Sequence, residues 1–158
     1  MSIYVNIPRV PYSVTGMATW WGINTSGSND TGDVDSSGKN LLGAFGDDNH
    51  NEQIIGASIP IIMFHDTIGR GDVIYKDVAD RKYTIDILSH STGKHLTEVW
   101  ITDLGPNARL GRPLDLTAAA NRMLGHVEGT NLCTLWITGP DGIMEIKGWD
   151  FVRGHVIE

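Results

Sequence analysis

Basic charge, cysteine, long apolar runs and nucleotide-binding glycine motifs are all scarce or missing in this sequence, and each absence narrows the function. Only 12 of 158 residues are Lys or Arg against 19 acidic ones, a net charge of -7. No electrostatic footprint for nucleic acid exists, and an anionic membrane surface is disfavoured for the same reason. The single cysteine, Cys133, excludes an internal disulfide. It lies in the apolar run "NLCTLWI" and reads as a small buried hydrophobe, not a nucleophile. No apolar stretch approaches the ~18 residues that span a bilayer. The first residues, "MSIYVNIPRVPYSV", do not read as a secretory signal. The six histidines, His50, His65, His90, His95, His126 and His155, form no HxxxH pair, so zinc is not expected. A GxSxG elbow and a phosphate-binding glycine loop are also missing.

What remains is one ordinary domain with 41% hydrophobic residues, enough for a single core. Residues 1–14 read as an extended arm broken by Pro8 and Pro11. Residues 15–158 read as one mostly-β unit. "TGMATWWG" (15–22) predicts a strand. The Gly-, Ser-, Asn- and Asp-rich stretch that follows predicts a long loop from 23 to 52, and such a loop is functional or disordered. "QIIGASIPIIMF" (53–64) predicts a strand interrupted at Pro60. "KYTIDIL" and "LTEVWITD", joined by "SHSTGKH", predict a hairpin. "DLTAAANRMLG" (115–125) is the best helix signal: an acidic first turn, an alanine run and a terminal Gly125. "NLCTLWITGP" and "GIMEIKGWDFV" predict two closing strands around a "GPDG" turn. The sum is a small barrel or sandwich with one short helix.

Two aspartates stand out. Asp103 ends an apolar strand beside Trp100, just before a Gly-Pro turn. Apolar neighbours disfavour a charged carboxylate and raise its pKa, which suits a general acid on a glycosidic oxygen. The plainer role for such an aspartate is to accept backbone N–H bonds in the turn. Asp115, or Thr117 beside it, can cap the helix. Two-carboxylate glycosidases hold their pair about 5 to 9.5 Å apart, a distance that the loop between Asp103 and Asp115 permits without requiring. Trp20 and Trp21 are adjacent, so on a strand one faces the core and the other is a candidate sugar platform. Asp33, Asp35, Ser37 and Gly38 echo a calcium loop, but its twelfth position is Ala44 where a bidentate Glu is needed, so calcium is not expected.

With Gly16-Met17-Ala18-Thr19-Trp20, Thr102-Asp103-Leu104-Gly105-Pro106 and Asp115-Leu116-Thr117 followed by Ala118, Ala119 and Ala120, the chain resembles the double-psi β-barrel superfamily. Within it, the sequence is similar to rare-lipoprotein-A-like lytic transglycosylases and to the barrel domain of bacterial expansins. The resemblance runs over roughly residues 15–138 and is close only in two short blocks, the first "TGMATWWG" and the second "VWITDLGPN" with "PLDLTAAANRMLG". It implies a single six-stranded double-psi β-barrel with one or two short helices and a long loop insertion. It implies Asp103 and Asp115 as catalytic residues, with Thr19, Trp20, Trp21, His50 and Asn107 against the substrate. The implied substrate is peptidoglycan, cleaved between N-acetylmuramic acid and N-acetylglucosamine without cofactor or metal. Without a signal peptide, delivery would fall to a phage tail or a secretion machine. One departure is visible: the transglycosylases carry a histidine in an "AAH" stretch, where "IIGASIP" here has Gly56. A non-catalytic, expansin-like glycan-binding module is therefore the second expectation, and a protease inhibitor or interaction barrel the third.

Overall fold

The computed structural model describes residues 5–21, 55–59, 73–104, 113–127, 129–147, 149–150 and 155–156. The calcium-like stretch, His50 and Asn107 lie outside these residues, as does the loop expected from 23 to 52. For Trp21, Asp103 and Leu104 the backbone alone is described.

Strand formation follows the period-two patterning of the sequence. In β1 (Val14–Trp21), Val14 and Ala18 are buried and Trp20 packs against the same core. In β3 (Thr84–Ser89), Ile85 and Ile87 are fully buried between half-buried neighbours. The hairpin partner β4 (His95–Leu104) contributes Val99 and Ile101, and β6 (Asn131–Gly139) contributes Cys133, Leu135 and Ile137. Between them run two short strands, β2 (Gly56–Ile59) and β5 (Leu114–Thr117). Cys133 is a core residue as expected, and desolvation pushes its thiol pKa up to about 12.

The main sheet has the order β1-β5-β2-β4-β3-β6, and a further β1–β6 pairing closes these six strands into a ring. Closure removes the unpaired edges that an open sheet would expose. β1–β5 and β2–β4 are parallel; β2–β5, β3–β4, β3–β6 and β1–β6 are antiparallel. Two short helices interrupt the order, α1 (Val73–Ala79) between β2 and β3, and α2 (Ala118–Met123) between β5 and β6. Each half of the chain thus reads strand, strand, helix, strand. Exchanging β1, β2 and β3 with β4, β5 and β6 maps β1–β5 onto β2–β4 and β1–β6 onto β3–β4, each with its direction kept, and leaves β2–β5 and β3–β6 in place. The ring therefore has an internal two-fold relation, and every strand in it pairs only with strands of the other half.

Two short helices are present, within the one or two expected, though the position of α1 was not read from the short, β-branched "VIYKDVA". Two expectations are corrected. The helix expected from Asp115 starts three residues later: Leu114 and Leu116 are both fully buried around a half-buried Asp115, so this segment is a strand. The second closing strand shrinks to β7 (Gly142–Ile143); β8 (Trp149–Asp150) and β9 (His155–Val156) form a separate two-stranded sheet. The arm is fastened at its end, where Ile146 N–H donates to the Pro11 carbonyl at 2.9 Å. No helix among the described residues is long and apolar enough to cross a membrane.

Candidate functional site

Four of the strands bring three of the expected residues, Thr19, Asp115 and Asp103, into one row with Ser58, which was not expected. Thr19 on β1 is in register with Asp115 on β5, Asp115 with Ser58 on β2, and Ser58 with Asp103 on β4. Directly paired residues share a sheet face. Because Ala18, Trp20, Leu114, Leu116, Ala57 and Ile59 pack into the core, Thr19, Asp115 and Ser58 lie on the opposite sheet face, where Thr19 and Asp115 are half-buried and Ser58 is buried. The Thr19 hydroxyl donates to Asp115 Oδ1 at 2.8 Å. A charge-accepting bond of this kind fixes the carboxylate's orientation. The internal two-fold passes between Ser58 and Asp115, and it exchanges Thr19 with Asp103.

A register irregularity between Ala57 and Ser58 is what brings Asp103 into the row. Ala57 pairs with Ile101 and Ser58 with Asp103, so Thr102 is the extra residue of a bulge. Thr102 is fully buried, and its hydroxyl has no hydrogen-bond partner among the described residues. Its methyl fills the space above Gly56: a Cβ added there would stand 2.5 Å from Thr102 Cγ2. Asp103 and Asp115 are two inter-strand steps apart, about 9.6 Å between backbones.

Asp115 does not cap the helix. Thr117 does: its hydroxyl accepts from Ala120 N–H at 3.2 Å and from Gly56 N–H at 3.1 Å. One side chain thereby fixes the start of α2 and the start of β2 together.

Trp20 is half-buried and packs against the core. Among the described side chains, Trp100 is the tryptophan that stands outside. It is 45% exposed on β4 between buried Val99 and Ile101, and the Arg81 guanidinium lies 4.5 Å from its ring centroid. Alternation within "VWITD" carries this signal in the sequence.

Another trio has the form of a nucleophile relay. Ser89 Oγ lies 2.7 Å from His126 Nε2, and His126 Nδ1 lies 3.0 Å from Asn121 Oδ1. With Asn121 Oδ1 accepting, Nδ1 carries the proton and Nε2 accepts the serine hydroxyl. Ser89 is 0% exposed, however, so no substrate reaches it. The trio is a buried polar staple joining β3 to the end of α2, and desolvation lowers the His126 pKa. No group of three or more His, Cys, Asp or Glu that could hold a metal occurs among the described residues.

No protein-family model matches this chain, and no curated protein matches it.

Proposed function

We propose that the chain is a double-psi β-barrel that acts on peptidoglycan as a lytic transglycosylase, with Asp103 as its acid and base. The observation that carries this reading is the row Thr19–Asp115–Ser58–Asp103 across adjacent strands. Residues 96 positions apart in sequence, Thr19 and Asp115, meet there through a hydrogen bond. The barrel assignment is supported by the two-fold exchange of pairings and by one helix in the same place in each half.

In this mechanism the Asp103 carboxylic acid protonates the oxygen between N-acetylmuramic acid and N-acetylglucosamine. The muramic C1–O bond breaks, and the leaving glucosamine keeps the proton. The Asp103 carboxylate then takes the proton of the muramic 6-hydroxyl while that oxygen bonds to C1. A 1,6-anhydro ring closes, Asp103 is an acid again, and no water is consumed. One carboxyl group suffices for both proton transfers. Asp115, oriented by Thr19, accepts sugar hydroxyls beside the bond being broken.

The test is to digest purified sacculi with the wild type and with Asp103→Asn and to analyse soluble products by mass spectrometry. Anhydro-muropeptides from the wild type alone are expected. Their absence from a folded wild type across the pH range would refute catalysis.

Gly56 favours a second reading, a binding module without turnover. It stands where the resemblance would put the transglycosylase histidine, and the Thr102 methyl occupies the place of any side chain. Retention on sacculi without products, unchanged in Asp103→Asn, would select this reading.

A further inference from the structure

α1 and α2 end in the same motif with different residues. After α2, Gly125 N–H donates to the Arg122 carbonyl and His126 N–H to the Asn121 carbonyl, with Gly125 at φ 75°. After α1, Arg81 N–H donates to the Val78 carbonyl and Lys82 N–H to the Asp77 carbonyl, with Arg81 at φ 62°. This paired closure places one residue in the left-handed region, where glycine is the usual occupant because it has no Cβ. The internal two-fold makes Gly125 the counterpart of Arg81. An arginine there is held against backbone preference, which calls for a role for its side chain.

That side chain does two things. Arg81 Nη1 donates to the Ile101 carbonyl at 3.1 Å, and the guanidinium lies over the Trp100 ring. The cation within about 6 Å of the centroid holds the indole by electrostatic attraction to the ring. Its own tether to the next residue of β4 fixes both groups. A tryptophan so restrained, yet 45% exposed, presents a flat surface whose orientation is set before anything binds.

Trp100 also has a defined place relative to the row. It pairs with Gly56, whereas Asp103 pairs with Ser58, two β2 residues further on. Two residues of strand correspond to about 6.6 Å. An aromatic plane thus lies one step from the row in which the Asp103 backbone is level with the buried Ser58 and the half-buried Asp115 and Thr19. The combination complements a sugar ring, whose C–H face is apolar and whose edge carries hydroxyl donors. A strongly anionic ligand is disfavoured by the carboxylates and by the net charge of -7.

We propose that Trp100, clamped by Arg81, is the stacking subsite for one pyranose ring of a glycan strand whose neighbouring bond lies over the Asp103–Ser58–Asp115–Thr19 row. The subsite rests on the glycan reading above and names the residues that grip the strand.

Binding isotherms on purified sacculi, measured by depletion of protein from solution, test it for the wild type, Trp100→Ala, Trp100→Phe and Arg81→Gly, with a thermal melt for each. The wild type is retained. Trp100→Ala weakens retention about tenfold, Trp100→Phe recovers part of it, and Arg81→Gly melts near the wild type yet binds more weakly. A folded Trp100→Ala with the wild-type isotherm overturns the subsite while leaving the glycan reading intact. Arg81→Gly that binds as the wild type overturns the clamp. A wild type that is not retained at all refutes the glycan reading, and the subsite falls with it.

Discussion

Replacing Gly56 by alanine adds one methyl group at the most crowded point between β2 and β4. The new Cβ would stand 2.5 Å from Thr102 Cγ2 and 3.1 Å from Thr102 Oγ1. Carbon pairs settle at about 3.5–4.0 Å, so roughly 1 Å of displacement is required. Thr102 cannot supply it cheaply, because it is fully buried within a bulge and its backbone positions Asp103. Overpacking of this kind costs about 1–3 kcal/mol. At about 2–4 °C per kcal/mol for a chain of this size, Gly56→Ala should lower Tm by roughly 2–12 °C. Thr102→Ser deletes the offending methyl, so Gly56→Ala should cost distinctly less in that background. Thermal and urea melts of the four proteins give the coupling directly, with about 1–2 kcal/mol of favourable interaction expected. Equal stability of Gly56→Ala and the wild type, or strict additivity of the two changes, would refute the packing argument. It would also reopen the position for the side chain that the transglycosylase resemblance expects there.

Two further outcomes follow from buried polar groups. Thr117→Val keeps the side-chain shape but removes the acceptor for Ala120 N–H and Gly56 N–H. Urea unfolding should report a loss of about 2–4 kcal/mol with an unchanged slope. A loss under about 0.5 kcal/mol would mean that both donors find other partners. His126 has a lowered pKa in the folded protein because burial disfavours its charged form. The unfolded chain, with a histidine pKa near 6.5, therefore binds more protons than the folded one below that pH. Stability should fall as pH drops through about 6.5 and below, and His126→Gln should flatten that part of a Tm–pH profile. An identical profile for the variant would remove His126 as its source.

Much of the ring was legible because period-two patterning is a local property. Val99 and Ile101 alternate with Trp100, and Ile85 and Ile87 with Asp86, so their strands could be read residue by residue. Residues 114–117 misled for a physical reason. "DLT" before an alanine run satisfies the signals of a helix start, yet Leu114 and Leu116 both bury, and burial on one sheet face outweighed local propensity. α1 is short, and its C-terminal turn carries Arg81 where a glycine is usual, so its stop signal was hidden. The aspartates were identifiable by type, but their alignment was not. Register depends on long-range pairing, and the bulge at Thr102 that brings Asp103 level with Ser58 has no sequence signature. The exposure of Trp100, by contrast, follows from its alternation with Val99 and Ile101.

The interleaving of the two halves has a consequence for how the chain must be made. β1 waits for β5 and β6, β2 for β4 and β5, and β3 for β4 and β6. A ribosome that has released only the first half has produced no pair of ring strands that can join. Apart from the β3–β4 hairpin, every ladder closes a long loop before it forms, so folding should be slow for the size of the domain and should begin only after residue 95 has emerged. By the same logic the two halves, expressed as separate fragments, should each stay unstructured and acquire a sheet only on mixing.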